Sequence, residues 1–247
     1  MEFKIKKEGK NSMKDGEKDP KIMITKDGPY LVSGNLPIDK QIIATGNEGE
    51  PEKWLKGKNV PSNQPCLLCR CGESNNKPFC DGTHTKIDFD GTETAVKKPH
   101  DKQAQVIDGP TLLLKDASAL CAAARFCHRG GGTWRLTHQS DDPKASELAV
   151  EEACQCPSGR LVESDKRTGK VFEKEFKQSI SLVEDPQSKV SGPIWLKGGI
   201  PVECSDGTTY EVRNRQTLCR CGKSQNKPFC DGSHIDEGFN DGDESLK

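Results

Sequence analysis

The hydrophobic residues of this chain fall in short clusters that Gly, Pro and charged residues interrupt. Two related clusters, GPYLVSGNLPI from Gly28 and GPIWLKGGIPV from Gly192, are rich in large apolar residues, and each predicts a short strand. Further strands are predicted at GPTLLL from Gly109, at TTYEVRN from Thr208, and around a Thr-Gly turn within residues 160–185. This pattern predicts a β-rich α+β fold built from small units.

Two helices are predicted in the middle of the chain. The segment ALCAAARFC, residues 119–127, is rich in Ala, which favours helix, and the glycines at 130–132 would end it. The segment PKASELAVEEAC begins at Pro143, and proline is favoured in the first turn of a helix. These helices separate two parts of the chain that resemble each other.

The resemblance between the two parts is an internal repeat. Residues 69–84 read CRCGESNNKPFCDGTH and residues 219–234 read CRCGKSQNKPFCDGSH, so thirteen of sixteen positions are identical. Each copy follows one of the two related apolar clusters, so the repeat unit is a strand, a connection and a cysteine loop. We therefore divide the chain into a disordered charged N-terminus (1–20), a first repeat (21–100), a middle domain (101–189), and a second repeat with a loose acidic tail (190–247).

Composition narrows the class of protein. Of 247 residues only 32% are hydrophobic and 5% aromatic, which favours several small cores over one thick one. The formal net charge of -1 argues against a nucleic-acid binder. The chain has no apolar run near the roughly 18 residues of a membrane span, and its charged start lacks the apolar core of a signal peptide. We expect a cytoplasmic protein that binds neither nucleic acid nor membrane.

The twelve cysteines are grouped at short repeated spacings, which in a reducing compartment indicates metal ligation. Each repeat has the spacing C-x-C-x8-C-x3-H. Three thiolates and an imidazole can hold one tetrahedral zinc ion or an iron–sulfur cluster. The one-residue gap is unusual for zinc and favours the cluster. The candidate ligands are Cys69, Cys71, Cys80 and His84 in the first loop, and Cys219, Cys221, Cys230 and His234 in the second.

The last two ligands of each loop are four residues apart, so a helix there would place them on one face. Asp81 suits the N-cap of that helix, and Asp231 is its counterpart. Both loops also match C-x-C-x2-S-x3-P-x-C-D-G-[ST]-H at every fixed position, and the chain thereby resembles the CDGSH iron–sulfur domain family, whose mitoNEET-like members are dimers with exchanged strands.

That resemblance implies a 2Fe-2S cluster in each loop, with the first two cysteines on the inner iron and the last cysteine and the histidine on the outer one. It also implies an intramolecular pseudo-dimer, a monomer in which the strands near 29–34 and 193–198 cross between two lobes. This chain lacks the membrane anchor of the mitochondrial members, so their location is not carried over.

The middle domain resembles a divergent mono-cluster ferredoxin-like domain. Its candidate ligands are Cys121, Cys127 and Cys156, the last followed by Pro157, and the usual middle cysteine falls on Ala124. Three thiolates favour a 3Fe-4S cluster over a 4Fe-4S cluster.

Other interpretations of the middle cysteines remain. His128 or Cys154 could supply a fourth ligand to the cluster. A small apolar domain with buried free cysteines is an alternative, and a Cys121–Cys154 disulfide is another, disfavoured in a reducing compartment.

The favoured function is electron transfer by an iron–sulfur protein together with a separate redox partner. An alternative is a cluster carrier or a redox- and pH-responsive iron homeostasis protein that delivers to an acceptor protein, because mild acid competes with iron for an imidazole ligand and makes the cluster labile. A zinc-stapled interaction module is the third hypothesis. The sequence has no nucleotide-binding fingerprint and no nucleophile motif, so we do not expect an enzyme.

Overall fold

The computed structural model describes residues 19–247, so residues 1–18 of the segment expected to be disordered lie outside it. Strands predominate and the helices are few and short, as expected for a β-rich α+β fold. The strands are β1 (Lys21–Ile24), β2 (Tyr30–Ser33), β3 (Ile38–Thr45), β4 (Pro51–Asn59), β5 (Cys66–Leu68), β6 (Gln105–Asp108), β7 (Leu112–Asp116), β8 (Leu161–Asp165), β9 (Ser179–Asp185), β10 (Val190–Lys197), β11 (Val202–Glu203) and β12 (Arg215–Leu218). The α-helices are α1 (His100–Gln103), α2 (Thr133–His138) and α3 (Pro143–Gln155).

The strands form three sheets. The first has the order β11-β1-β2-β5, the second β12-β10-β9-β3-β4, and the third β6-β7-β8. The first two sheets carry the cysteine loops, because each loop begins where β5 or β12 ends. The strand β9 belongs to the second sheet, although the division of the sequence places it in the middle domain.

Each repeat contributes one strand to the sheet of the other. The strands β1 and β11 pair in parallel with Ile22 opposite Val202, and β3 and β9 pair in parallel with Ile38 opposite Ile180. Counted from the first glycine of each related cluster, Ile38 and Val202 are equivalent positions. The two pairings are therefore one exchange made twice, as in a dimer whose halves are joined in one chain.

The strands that cross are not those expected from the sequence. The segments near 29–34 and 193–198 become β2 and β10, which stay beside β5 and β12 of their own repeat. The following strands, β3 and β11, cross instead. In the first repeat, two residues with positive φ lie between β2 and β3: Gly34 and Asn35 (φ 89 and 54). They turn the chain away from the sheet that contains β2.

The middle segment has its own sheet and core. The strands β6, β7 and β8 are antiparallel, and α2 and α3 pack beside them around Leu112, Leu136 and Ala149. The predicted helix from Pro143 is confirmed as α3, and the Asp142 side chain accepts a hydrogen bond from the Lys144 amide as its N-cap.

Two other sequence predictions are wrong. Residues 119–127 do not form an α-helix: 3-10 turns at Ser118–Leu120 and Phe126–Gly131 flank an irregular stretch in which Ala123 and Arg125 have positive φ (54 and 62). The segment TTYEVRN forms only one isolated bridge, from Thr209 to Glu203. In both places the loop conformation outweighs local propensity.

The acidic tail is not loose, in contrast to the prediction. Asp241 forms an ion pair with Arg220 (2.5 Å), and Asp243 forms one with Lys40 (2.5 Å). The Arg220 side chain is only 4% exposed, and a compensating charge offsets the cost of burying its guanidinium. The tail supplies that charge and is held against the second repeat.

One hydrophobic core joins the two repeats. Ile22 and Tyr30 from the first repeat and Ile194 and Leu218 from the second belong to the same buried cluster. In the part of the chain that the structure describes, no helix has both the length and the apolar character to cross a membrane.

Candidate metal centres

The first cysteine loop is a hairpin that brings its ligands back toward each other. The Cys69 amide donates to the Pro78 carbonyl, and the Cys80 amide donates to the Leu67 carbonyl, both at 2.8 Å. The Ser74 hydroxyl donates to the Phe79 carbonyl at 2.6 Å and tightens the turn. These bonds place Cys80 beside the strand end from which Cys69 and Cys71 emerge.

The second loop repeats this geometry. The Cys219 amide donates to the Pro228 carbonyl (2.8 Å), and the Cys230 amide donates to the Thr217 carbonyl (3.0 Å). The Ser224 hydroxyl donates to the Phe229 carbonyl at 2.7 Å. The serine of the motif therefore shapes the loop.

The expected helix after Cys80 is replaced by one 3-10 turn, Thr83–Thr85, with Gly82 (φ 86) at its N-cap. Asp81 still has a capping role, because it accepts hydrogen bonds from the amides of Thr83 (3.0 Å) and Asn75 (2.9 Å). The hydrogen bonds from Thr83 and Asn75 lower the pKa of Asp81 well below its usual range. The turn is sufficient to bring His84 back to Cys80.

The candidate ligands of each loop fall into two close pairs. The Sγ atoms of Cys69 and Cys71 are 3.8 Å apart, and the Cys80 Sγ lies 3.4 Å from the His84 Nδ1. In the second loop the separations are 3.6 Å for Cys219 and Cys221, and 3.4 Å for Cys230 and the His234 Nδ1. Two sulfur ligands about 2.3 Å from one metal at the tetrahedral angle lie roughly 3.7 Å apart, so each pair fits one metal ion.

The state of His234 also suits a ligand. Burial, assisted by the positive charge of Arg220, lowers the pKa of His234 to about 4. The imidazole is therefore neutral at neutral pH, as coordination requires. Within residues 19–247, no three Cys, His, Asp or Glu side chains converge as a site for a single ion.

The two cysteine loops touch each other through their glycines. A Cβ built on Gly72 would lie 2.8 Å from the carbonyl carbon of Cys221 and closer still to its oxygen, and Gly222 stands in the same relation to Cys71. Both glycines also have positive φ, 83 and 80. Only glycine permits this approach, which places the first two ligands of one loop against those of the other.

Three buried polar residues around the loops were not identified from the sequence. Arg70 and Arg220 lie between the first two cysteines of each loop, and both are almost fully buried. Tyr30, on β2 of the first repeat, donates its hydroxyl to the carbonyl of Cys219 in the second loop at 2.8 Å. The repeated Cys-Arg-Cys tripeptide was an available signal for the arginines, whereas the reach of Tyr30 depends on the packing of the two repeats.

The three candidate cysteines of the middle domain are brought together. Cys121, Cys127 and Cys156 line one small cavity, together with Ala124, where a fourth cysteine would stand in the usual motif. Burial, followed by the neighbouring thiols of Cys156 and Cys121, raises the pKa of Cys127 to about 12. A metal centre bound here would have to displace the proton of that thiol.

The structure also shows where the remaining cysteines lie and whether any of them form a disulfide. All twelve cysteines are free, so the Cys121–Cys154 disulfide is not formed. The Cys154 thiol is buried and donates to the Phe172 carbonyl at 3.6 Å, away from the middle cavity. Cys204 is buried in the shared core, and Cys66 packs against that core.

Comparison with models of protein families gives two matches. The family described as iron-binding zinc finger, CDGSH type, matches residues 27–85 and 191–235. The family described as divergent 4Fe-4S mono-cluster matches residues 107–166. No curated protein and no solved structure matches the chain. The matched segments contain all eleven candidate ligands, and their families support an iron–sulfur cofactor. Two segments that match the iron-binding CDGSH model thus flank a segment that matches the divergent 4Fe-4S mono-cluster model, and together these matches support an iron–sulfur protein.

Proposed function

We propose that the protein is an electron carrier with three iron–sulfur centres. Two are 2Fe-2S clusters, one in each cysteine loop, and the third is a 3Fe-4S cluster in the middle cavity. The CDGSH centres are held by Cys69, Cys71, Cys80 and His84, and by Cys219, Cys221, Cys230 and His234; the middle centre is held by Cys121, Cys127 and Cys156.

The observation that carries this proposal is the contact between successive ligand loops. Gly72 lies against Cys221, so the first loop touches the second. A Cβ on Gly232 of the second loop would lie 3.2 Å from the Ala123 Cβ and 3.8 Å from the Cys121 carbonyl oxygen, so the second loop touches the middle loop. Such clusters, when bound, accept and release single electrons, and this contiguity would allow exchange within the chain.

The pairing of the ligands favours a binuclear cluster over a single zinc ion. A 2Fe-2S cluster needs two ligands on each of two irons, which matches one close thiol pair and one close thiol–imidazole pair in each loop. A structural zinc site instead gathers four ligands around one ion. The residues of the chain bind and orient each pair and keep the inner cysteines, all buried, away from water.

A second candidate function, the transfer of whole clusters, is favoured by the position of His84. Cys80 and His84 are only half-buried, so an acceptor protein could reach the outer pair of the first centre. The two functions share cofactors and differ in whether the cluster leaves the chain. In either case a separate partner protein, a redox protein or a cluster acceptor, is required.

The test begins with iron, sulfide and zinc analysis of protein purified without oxygen, followed by electron paramagnetic resonance before and after reduction. We expect iron and sulfide, and a paramagnetic signal in the oxidised protein from a 3Fe-4S centre, since oxidised 2Fe-2S is silent. Zinc without iron or sulfide would overturn the proposal. Incubation with an apo-ferredoxin separates the two functions: persistent colour in the donor supports electron carriage, and colour gained by the acceptor supports cluster transfer.

A further inference from the structure

The two CDGSH centres have the same ligands but unequal exposure. Cys230 and His234 are buried, at 2% and 4% exposed, whereas Cys80 and His84 are only half-buried. A depression of about 570 Å³ opens beside the first centre, and His84 forms part of its wall. The depression beside the second loop is lined by Ala123 and Arg125 of the middle domain, and His234 is not among its lining residues.

The cover over the second loop is the irregular segment Ala119–Arg125. The Asn226 side-chain amide donates to the Ala119 carbonyl at 2.8 Å. Ala123 lies over Gly232, and its Cβ would be 3.2 Å from a Cβ built on that glycine. These contacts hold the segment directly on the loop that carries Cys230 and His234.

An ion pair fixes the same segment to β9 of the second sheet. Arg125 donates two hydrogen bonds to Asp185, at 2.6 and 3.0 Å, and the Asp185 side chain is 3% exposed. Bidentate arginine–carboxylate pairs have a defined geometry, so the position of the segment is specified. The positive φ of Arg125 directs the chain at this point, which explains why residues 119–127 are not helical.

A second cover comes from the first repeat. The amides of Thr94 and Ala95 both donate to the Lys227 carbonyl, at 2.8 and 2.9 Å, and the Thr94 hydroxyl donates to the Gln225 carbonyl at 2.7 Å. The second loop is thus held between two other parts of the chain, and its Asn226 is half-buried where the equivalent Asn76 of the first loop is exposed.

We infer that the middle domain seals the second CDGSH centre, so that an external partner protein meets the chain at His84 and not at His234. This inference rests on the proposed function and assigns the contact with the partner to one of two centres whose sequences are nearly identical. The sealed centre lies between the middle cavity and the exposed centre.

The test measures the accessibility of the two histidines directly. Holoprotein is treated briefly with diethyl pyrocarbonate, and the modified peptides are quantified by mass spectrometry. We expect His84 to be modified severalfold faster than His234. Equal rates, or faster modification of His234, would overturn the inference. Iron and sulfide analysis of the same sample tests the proposed function separately, because the labelling ratio depends on burial and not on electron transfer.

Two variants open the seal, and the chain offers a matched control. Asn226→Ala removes the bond to Ala119, and Arg125→Gly removes the ion pair while keeping a residue that accepts positive φ. Both should speed the modification of His234 severalfold and leave His84 unchanged. Asn76→Ala, the same substitution at the equivalent position of the first loop, should leave His234 protected. If both variants leave His234 as protected as in the parent, the middle domain is not the seal and the inference fails.

Discussion

The contact between the two cysteine loops predicts a specific sensitivity to a single methyl group. In Gly72→Ala, the new Cβ would lie 2.8 Å from the Cys221 carbonyl carbon, where ordinary contacts begin at 3.4 Å. The neighbouring atoms are backbone, so the loops must move apart, and such overpacking costs about 1–3 kcal/mol. Alanine at positive φ adds a backbone cost of about 1–2 kcal/mol.

Gly207→Ala is the control that separates the cost of the contact from the cost of the backbone conformation. Gly207 has the same φ of 83 as Gly72, and nothing described lies within 4 Å of the position that its added methyl group would take. Thermal unfolding followed by circular dichroism should show the backbone cost in both variants and the contact cost only in Gly72→Ala. The extra 1–3 kcal/mol corresponds to a Tm lower by roughly 2–12 °C. Equal Tm values for the two variants would refute the contact between the loops, and with it the contiguity on which the proposed function depends.

Three further changes test other parts of the structure. Tyr30→Phe leaves the buried Cys219 carbonyl without its hydroxyl donor and should lower the free energy of unfolding by about 1–3 kcal/mol in urea titration. An unchanged free energy of unfolding would show that the Tyr30 hydroxyl does not bond to this carbonyl. Burial, opposed by a hydrogen bond from Thr137, raises the pKa of Glu163 to about 7 from 4.5, so stability is lost as the pH rises through this range, by about 3 kcal/mol. Glu163→Gln should therefore stabilise the protein at pH 8 and much less at pH 5, and an equal gain at both would contradict the shift. Ala124→Cys should supply a fourth thiolate in the middle cavity, adding one iron and abolishing the paramagnetism of the oxidised protein; an unchanged spectrum would argue against a 3Fe-4S centre there.

The candidate ligand sets could be proposed from the sequence because the information is local. In each CDGSH loop the ligands lie within sixteen residues, and their spacing is set by one hairpin and one turn. The duplication gave an independent check, since chance similarity rarely preserves thirteen of sixteen positions. The middle candidates were proposed from a shorter pattern, and Cys156 reaches the cavity because α3 returns the chain to Cys121 and Cys127.

The arrangement of the repeats could not be predicted, because it depends on residues far apart in the chain. Whether β2 or β3 crosses is decided by a turn at Gly34 and Asn35, and nothing in the apolar pattern of either strand distinguishes the two outcomes. The error at residues 119–127 has the same origin: alanine favours helix in isolation, but Arg125 is held by Asp185 on a distant strand.

The arginine beside each centre also has different neighbours, because those neighbours come from parts of the chain far from the cysteine loop. Arg220 forms ion pairs with Glu184 (2.9 Å) and Asp241 (2.5 Å). Arg70, its counterpart, donates to the Gly91 carbonyl at 2.5 Å and lies 5.5 Å from the Tyr30 ring centroid, and no carboxylate in residues 19–247 forms an ion pair with it.

A buried cation that forms no ion pair favours the addition of an electron nearby, and burial of a cluster away from water disfavours that addition. Both differences act in the same direction, because the first centre has the arginine without an ion pair and the greater exposure. We therefore expect the first CDGSH centre to be reduced at a higher potential than the second, as two resolved steps in a redox titration followed by electron paramagnetic resonance. Arg70→Met should lower the potential of the first step, and Asp241→Asn should raise that of the second. A single step that neither substitution moves would show that the two centres are electrostatically equivalent despite their different surroundings.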